Sequence, residues 1–310
     1  MMRAPLLVAS TLGSCLLGAA SGCERLLSIQ DPVAGEGPGR DADTGGGPDG
    51  GGGGPYGNLP PRSPLLLSEV VVSPSDAEMI EIVNTSTDTV DMSTYYLSDS
   101  ASYYRLPAQA SVDMTDFIVR FPDGALLGPH GVLTVAIDIP QNFATRYGVS
   151  PNFSVADTSM DRIIVNGTPR LTDTGEPVIL FQWDKHSDLV RDVDIMIVGN
   201  PTAANQLTSK AGMSQDGPDN GSDPSTYAID SNTIKPQAAA PASNTTAMPP
   251  LIVSTQRLLL EDNNEHQGVM GNGQSGDDET SEDTSITWDG TTAHPFGPAT
   301  PGMVPDALKR

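Results

Sequence analysis

Between residues 65 and 107 the apolar side chains recur with a period of two, the spacing of strands and not of helices. Leu65-Leu66-Leu67-Ser68-Glu69-Val70-Val71-Val72 is followed by a Ser/Pro/Asp turn, then by Glu78-Met79-Ile80-Glu81-Ile82-Val83-Asn84. A third run, Tyr95-Tyr96-Leu97-Ser98-Asp99, comes after further turn residues. In the second run Ile80 and Ile82 point to one face and Met79, Glu81 and Val83 to the other, so Glu81 marks the expected solvent face. Short strands separated by turn signals at roughly 8–12 residues predict a β-sandwich or barrel.

The same pattern continues downstream. Tyr103-Tyr104-Arg105-Leu106-Pro107, Phe117-Ile118-Val119-Arg120-Phe121 and Val132-Leu133-Thr134-Val135-Ala136-Ile137 are expected strands, the second and third separated by a Pro122-Asp123-Gly124 turn. Residues 142–148 predict a single helical turn closed by Gly148. Residues 177–183 and 189–199 predict a hairpin around Asp184-Lys185-His186-Ser187. Strand alternation puts Asp192 and Asp194 on one face, read as solvated and not as a catalytic carboxylate pair. Residues 200–250 turn to Asn, Asp, Ser, Thr, Pro and Ala, with Tyr227-Ala228-Ile229 as the main apolar anchor, before a strand returns at 251–258.

The order of these motifs resembles a known family. An apolar strand with Ser68-Glu69-Val70, the Glu-x-Ile-Glu-Ile-x-Asn strand of 78–84, Asp91-Met92-Ser93-x-Tyr95-x-Leu97-Ser98-Asp99 and a Gly128-Pro129-His130-Gly131 turn look like the lamin-tail domain in its bacterial form. That resemblance implies an all-β, immunoglobulin-like β-sandwich with long loops, of the kind carried on myxobacteria-like cell envelopes. Ser254-x-x-Arg257, Trp288 and Thr300-Pro301-Gly302 resemble the way such domains close, which would carry the domain past residue 300 around an insertion. A separate C-terminal appendage is the competing organisation.

The N-terminus has the form of a bacterial lipoprotein leader. Met1-Met2-Arg3 is a short basic region, residues 4–20 are apolar, and Ala20-Ser21-Gly22-Cys23 is a small-residue cleavage site ending in cysteine. Leu12-Gly13-Ser14-Cys15 also fits, but cleavage there would cut the apolar region very short, so Cys23 is the expected acylation site. An ordinary secretory leader with incidental cysteines is the plain alternative. No cysteine follows residue 23, so no disulfide staples the fold.

The expected organisation is a signal peptide at 1–22, a disordered Gly/Pro-rich tether at 23–62, a sandwich core at 63–199, an insertion at 200–250, a closing strand and acidic loop at 251–305 and a tail at 306–310. The tether includes Gly45-Gly46-Gly47 and an unbroken glycine run at 50–54, a composition that cannot bury enough apolar surface to offset chain entropy. No Gly-Lys-Ser/Thr follows it, so a phosphate loop is set aside.

Charge is the main chemical clue. The net charge is −23, and between Arg257 and Lys309 there is no Lys or Arg. Such a surface repels nucleic-acid phosphates and anionic membranes. Solvation accounts for most of these carboxylates. Calcium is the sharper reading, with Asp277-Asp278-Glu279 and Glu282-Asp283, or Asp216, Asp219, Asn220 and Asp223, as oxygen donors, although neither set has EF-hand spacing. Gly271-Asn272-Gly273-Gln274-Ser275-Gly276 satisfies a dinucleotide fingerprint, but no strand precedes it and carboxylates follow. There is no nucleophile elbow and no paired metal-spaced histidine, since His130, His186, His266 and His294 are scattered singly.

No catalytic residue, cofactor site or metal site is therefore expected, and the one modification site is the lipid on Cys23. The chain reads as a non-enzymatic, lipid-anchored cell-envelope protein at the outer membrane or cell surface. Its partners are the membrane, through that lipid, and an envelope protein or polysaccharide. An envelope hydrolase with its site on the loops and a calcium-stabilised adhesin are the two alternatives.

Overall fold

The computed structural model describes residues 56–57, 59, 63–172, 175–199, 210, 212–219, 221–229, 251–260, 272–273 and 277–309. Cys15, Cys23 and the glycine run of the tether lie outside the described residues, as do Asn220, His266 and most of the 271–276 fingerprint.

The protein is an immunoglobulin-like β-sandwich. Among the described residues, strands β1 (Leu65–Val71), β2 (Met79–Asn84), β7 (Val132–Ala136), β8 (Phe153–Ser154), β14 (Val253–Gln256) and β15 (Gly297–Pro298) form one sheet in the order β15-β14-β1-β2-β7-β8. The facing sheet runs β11-β10-β4-β5-β9, from β4 (Tyr95–Ser98), β5 (Phe117–Arg120), β9 (Asp161–Val165), β10 (Gly175–Gln182) and β11 (Arg191–Gly199). Pairing is antiparallel except between β7 and β8. Ile80 and Ile82 enter the core between the sheets, with Leu67, Leu97, Val119 and Leu180 among the residues that meet them. Each such side chain contributes roughly 1.5–3 kcal/mol on burial.

Two bulges decide which side chains reach that core. The register of β1 against β2 shifts between Leu67 and Glu69, so the inward set changes from Leu65 and Leu67 to Val70 and Val72. Glu69 is thereby placed beside Glu81, its cross-strand partner, on the outer face.

The second bulge overturns the expectation for the aspartates. Leu180 pairs with Asp194 but Phe181 with Asp192, leaving Val193 as the extra residue. Leu180 lies in the inter-sheet core and Phe181 in the cluster on the opposite face, so Asp194 points inward and Asp192 outward. One added residue breaks the period of two. Neither carboxylate is solvated, each being about as buried as the core around it.

The outer face of the first sheet is covered too, which corrects the reading of Glu81 as solvent-facing. Helix α1 (Pro140–Tyr147) lays Phe143 against Val71, Met79 and Ala136. It has eight residues instead of a single turn, started by Pro at its first position and closed by Gly148 at φ 74. The C-terminal segment lies over the two glutamates. Gly302 N donates to Glu81 Oε2 at 2.6 Å and Thr300 N to Glu69 Oε1 at 2.8 Å. Glu81 is fully buried. Burial, reinforced by the Glu69 charge, pushes its carboxyl up to about 8.

The outer face of the second sheet carries an aromatic layer. Tyr103–Ala108 is a 3₁₀ helix and not the expected strand, with Pro107 inside it. Tyr103 and Tyr104 both pack onto the layer with Tyr96, Phe181 and Tyr227, which consecutive strand residues on opposite faces do not do. A small hairpin of β12 (Ser214–Gln215) and β13 (Ser225–Thr226) delivers Tyr227, which is buried there.

Candidate functional site

A cleft of about 590 Å³ opens where the turn after β2 meets β4 and the end of β10. Its lining includes Ser63, Asp88, Asp91, Thr94, Tyr95 and Gln182. The turn on one side is held by Asn84, whose buried side chain donates to the carbonyls of Asp88, Leu127 and Gly128 at 2.6, 3.2 and 3.0 Å. Its Oδ1 accepts from Ser86 N and Oγ at 3.0 and 2.8 Å. A single carboxamide thus fixes the turn that holds Asp88, while strand β3 (Val90–Asp91) is held by pairing with β6 (Leu126–Leu127).

The floor is formed by β4 and β10. Tyr95 OH donates to Ser63 Oγ at 2.8 Å, and burial pushes that hydroxyl up to about 12, so it remains a donor at neutral pH. Gln182 is fully buried. Its Nε2 reaches Thr94 Oγ1 at 3.5 Å, while its Oε1 has no partner among the described residues. A buried acceptor without a donor costs about 1–3 kcal/mol.

The lining is chemically specific. It joins hydroxyls, one carboxamide and the carboxylates Asp88 and Asp91, with no imidazole, thiol, ammonium or guanidinium among the described residues. Such a surface accepts hydrogen bonds and disfavours anions.

Two buried ionic clusters lie one on each side of β11. Inside the sandwich, Arg257 Nη2 donates to Asp194 at 2.7 and 2.8 Å, Nη1 to Glu282 Oε1 at 2.7 Å and Nε to Leu67 O at 2.8 Å. Its guanidinium lies 4.9 Å from the centre of the buried Trp288 ring. Burial raises the Asp194 carboxyl, with Arg257 opposing and Glu282 adding to the shift. In the aromatic layer, Lys210 Nζ donates to Asp192 Oδ2 at 2.7 Å and Tyr103 OH to Asp192 Oδ1 at 2.6 Å.

The two carboxylate sets read as calcium candidates fare differently. Asp278 caps the 3₁₀ helix Glu279–Ser281, Asp283 caps α2 (Thr284–Thr287), and Glu282 pairs with Arg257, so that set is dispersed into structural roles. Asp216 and Asp219 do converge, joined by Asp188, with one carboxylate oxygen of each within 4.8 Å of the others. Asp223 is not in this group. Asp188 is already engaged by Gly217 N at 2.7 Å and by Ser225 N and Oγ at 3.1 and 2.7 Å. Of the 271–276 fingerprint, Asn272 and Gly273 are described, and Asn272 is spent on Ala228, accepting from its N at 2.8 Å and donating to its O at 2.9 Å.

The two-sheet sandwich is the fold that the resemblance implied, and it places the Ser68 to Asn84 strands centrally in one sheet and Tyr95 to Ser98 centrally in the other. Residues 59–193 match the Lamin Tail Domain family model. No curated protein matches the chain. The whole lining of the cleft falls within the lamin-tail span, whereas Lys210, Arg257, Glu282 and Trp288 lie beyond it. Gln182 and Asp188 were missed in the sequence because a polar residue at a strand end or in a turn carries no periodic signal. Lys210 was missed for the same reason, standing alone in a polar stretch.

Proposed function

We propose that this chain is a lipid-anchored cell-envelope protein whose lamin-tail-like sandwich is a non-catalytic binding module for neutral, hydroxyl-rich polysaccharide. The observation that carries this reading is a cleft rimmed by hydroxyls and the carboxylates Asp88 and Asp91, with no cationic side chain among the described residues of its lining. Sugar hydroxyls can donate to Asp88 and Asp91 and exchange hydrogen bonds with the lining hydroxyls, and anionic polymers are opposed by those two carboxylates and a net charge of −23. The anchor rests on the leader and on Cys23, and no helix among the described residues is long and apolar enough to cross a membrane.

Affinity electrophoresis in gels containing dextran or, separately, pectate tests the module. Retardation by dextran alone is expected, and Asp88→Ala weakens it about tenfold, equivalent to about 1.4 kcal/mol. Equal mobility in plain and dextran gels refutes the assignment. For the anchor, Cys23→Ser moves the protein from the membrane fraction to the soluble fraction, and an unmodified mature N-terminal peptide in mass spectra would overturn it.

The convergence of Asp188, Asp216 and Asp219 favours a second reading, in which calcium stabilises the β12–β13 hairpin. Thermal melts with calcium and with EDTA decide it, an unchanged midpoint removing the metal.

A further inference from the structure

The two ion pairs on β11 look alike and differ in what they can become. Arg257 keeps its proton under all ordinary conditions. Lys210 is an amine on a flexible stem, 0% exposed at its side chain, against an Asp192 carboxylate that is 1% exposed. Its Nζ lies 5.3 Å from the ring centre of Tyr103 and 5.8 Å from those of Tyr104 and Tyr227. We infer that Lys210 and Asp192 condense into an intramolecular amide, joining Nζ to Cγ with loss of one water.

The balance is simple. Burial disfavours the charged forms, so a proton passes from the ammonium to Asp192 Oδ2 across the 2.7 Å hydrogen bond, leaving a neutral amine and a carboxylic acid. The amine lone pair attacks Cγ. Tyr103 OH, 2.6 Å from Oδ1, donates to the oxygen on which negative charge develops, as an oxyanion donor does. Oδ2 leaves as water with two of the original ammonium protons, and one proton stays on the amide nitrogen. No oxidant, reductant or co-reactant enters.

Two physical factors favour the product here. The reacting groups are held together by the fold, which removes the entropy of encounter. In water, amide formation from an ion pair works against the solvation of both charges, and that solvation has already been given up by burial. The bond would tie β11, at the end of the lamin-tail span, to the segment that follows it, in a chain with no disulfide available after residue 23. The exposed Lys309 and Asp306 pair, at 2.9 Å, has the same two groups without the enclosure and serves as an internal contrast.

Intact mass of the denatured full chain tests the inference, with Lys210→Arg, produced and processed identically at its N-terminus, as the reference. The natural protein is expected to be lighter than its mature sequence by one water, and the Lys210→Arg variant to have its full mass. Asp192→Asn is expected to be lighter than its own sequence by one ammonia. Digestion should release a branched peptide joining the chain around Lys210 to that around Asp192. A natural protein at full sequence mass after prolonged incubation, with Lys210 open to amine-reactive labelling once denatured, overturns the inference whether or not the variants fold.

Discussion

Replacing Glu81 by Gln should stabilise this protein at about pH 8 and flatten its response to pH. In the native state the carboxyl is raised from 4.5 to about 8, first by burial and then by the Glu69 charge beside it. Below 4.5 both folded and unfolded chains carry the proton, and its contribution to stability is fully present. Between 4.5 and about 8 only the folded chain keeps it, so stability falls by about 1.4 kcal/mol for each pH step. Raising the pH from about 5 to about 8 therefore costs up to roughly 4 kcal/mol. For a domain of this size that corresponds to a fall in Tm on the order of 10 °C. Glu69 is raised by burial as well, and Asp289 to about 6 for the same reason, so neighbouring groups push in the same direction.

The geometry allows the amide to replace the protonated acid. Gly302 N can only donate, so the oxygen of Gln must face it, while the amide nitrogen faces Ser68 Oγ, which can turn to accept. Melting followed by circular dichroism across about pH 5 to 8 reads the effect. A Glu81→Gln protein that melts below the natural one at about pH 8, with an undiminished slope, would refute the reasoning.

Other perturbations follow from the packing. Arg257→Met strands Asp194 and Glu282 without their cation and should cost about 3–5 kcal/mol in urea unfolding, while replacing all three by apolar residues should restore most of it. Loss of less than about 1 kcal/mol in the single variant would mean that water reaches the cluster. Gly217→Ala places a Cβ 2.7 Å from Ser187 O and from Asp188 Cα, backbone atoms that cannot turn aside, and should cost about 1–3 kcal/mol by the same measurement.

Much of the sandwich was legible because alternation, turn chemistry and motif order are local. Ile80 and Ile82 pointed to the core, and Gly148 closed a helix, for reasons contained within a few residues of chain. Tyr103 to Pro107 misled because a short aromatic run with a proline suits a 3₁₀ helix once a neighbouring layer accepts both tyrosines on one side.

What the chain alone determined was the period of two, the apolar strands and the acidic, cysteine-poor surface chemistry. Tertiary structure decided where the carboxylates went. Glu81 is buried because residues 300–302, more than two hundred positions away, return to cover it. Asp192 and Asp194 part company because one unpaired residue at Val193 reverses the face. Parity within a strand is local, but a bulge is fixed by the partner strand and coverage by whatever packs above, and neither is written in the strand itself.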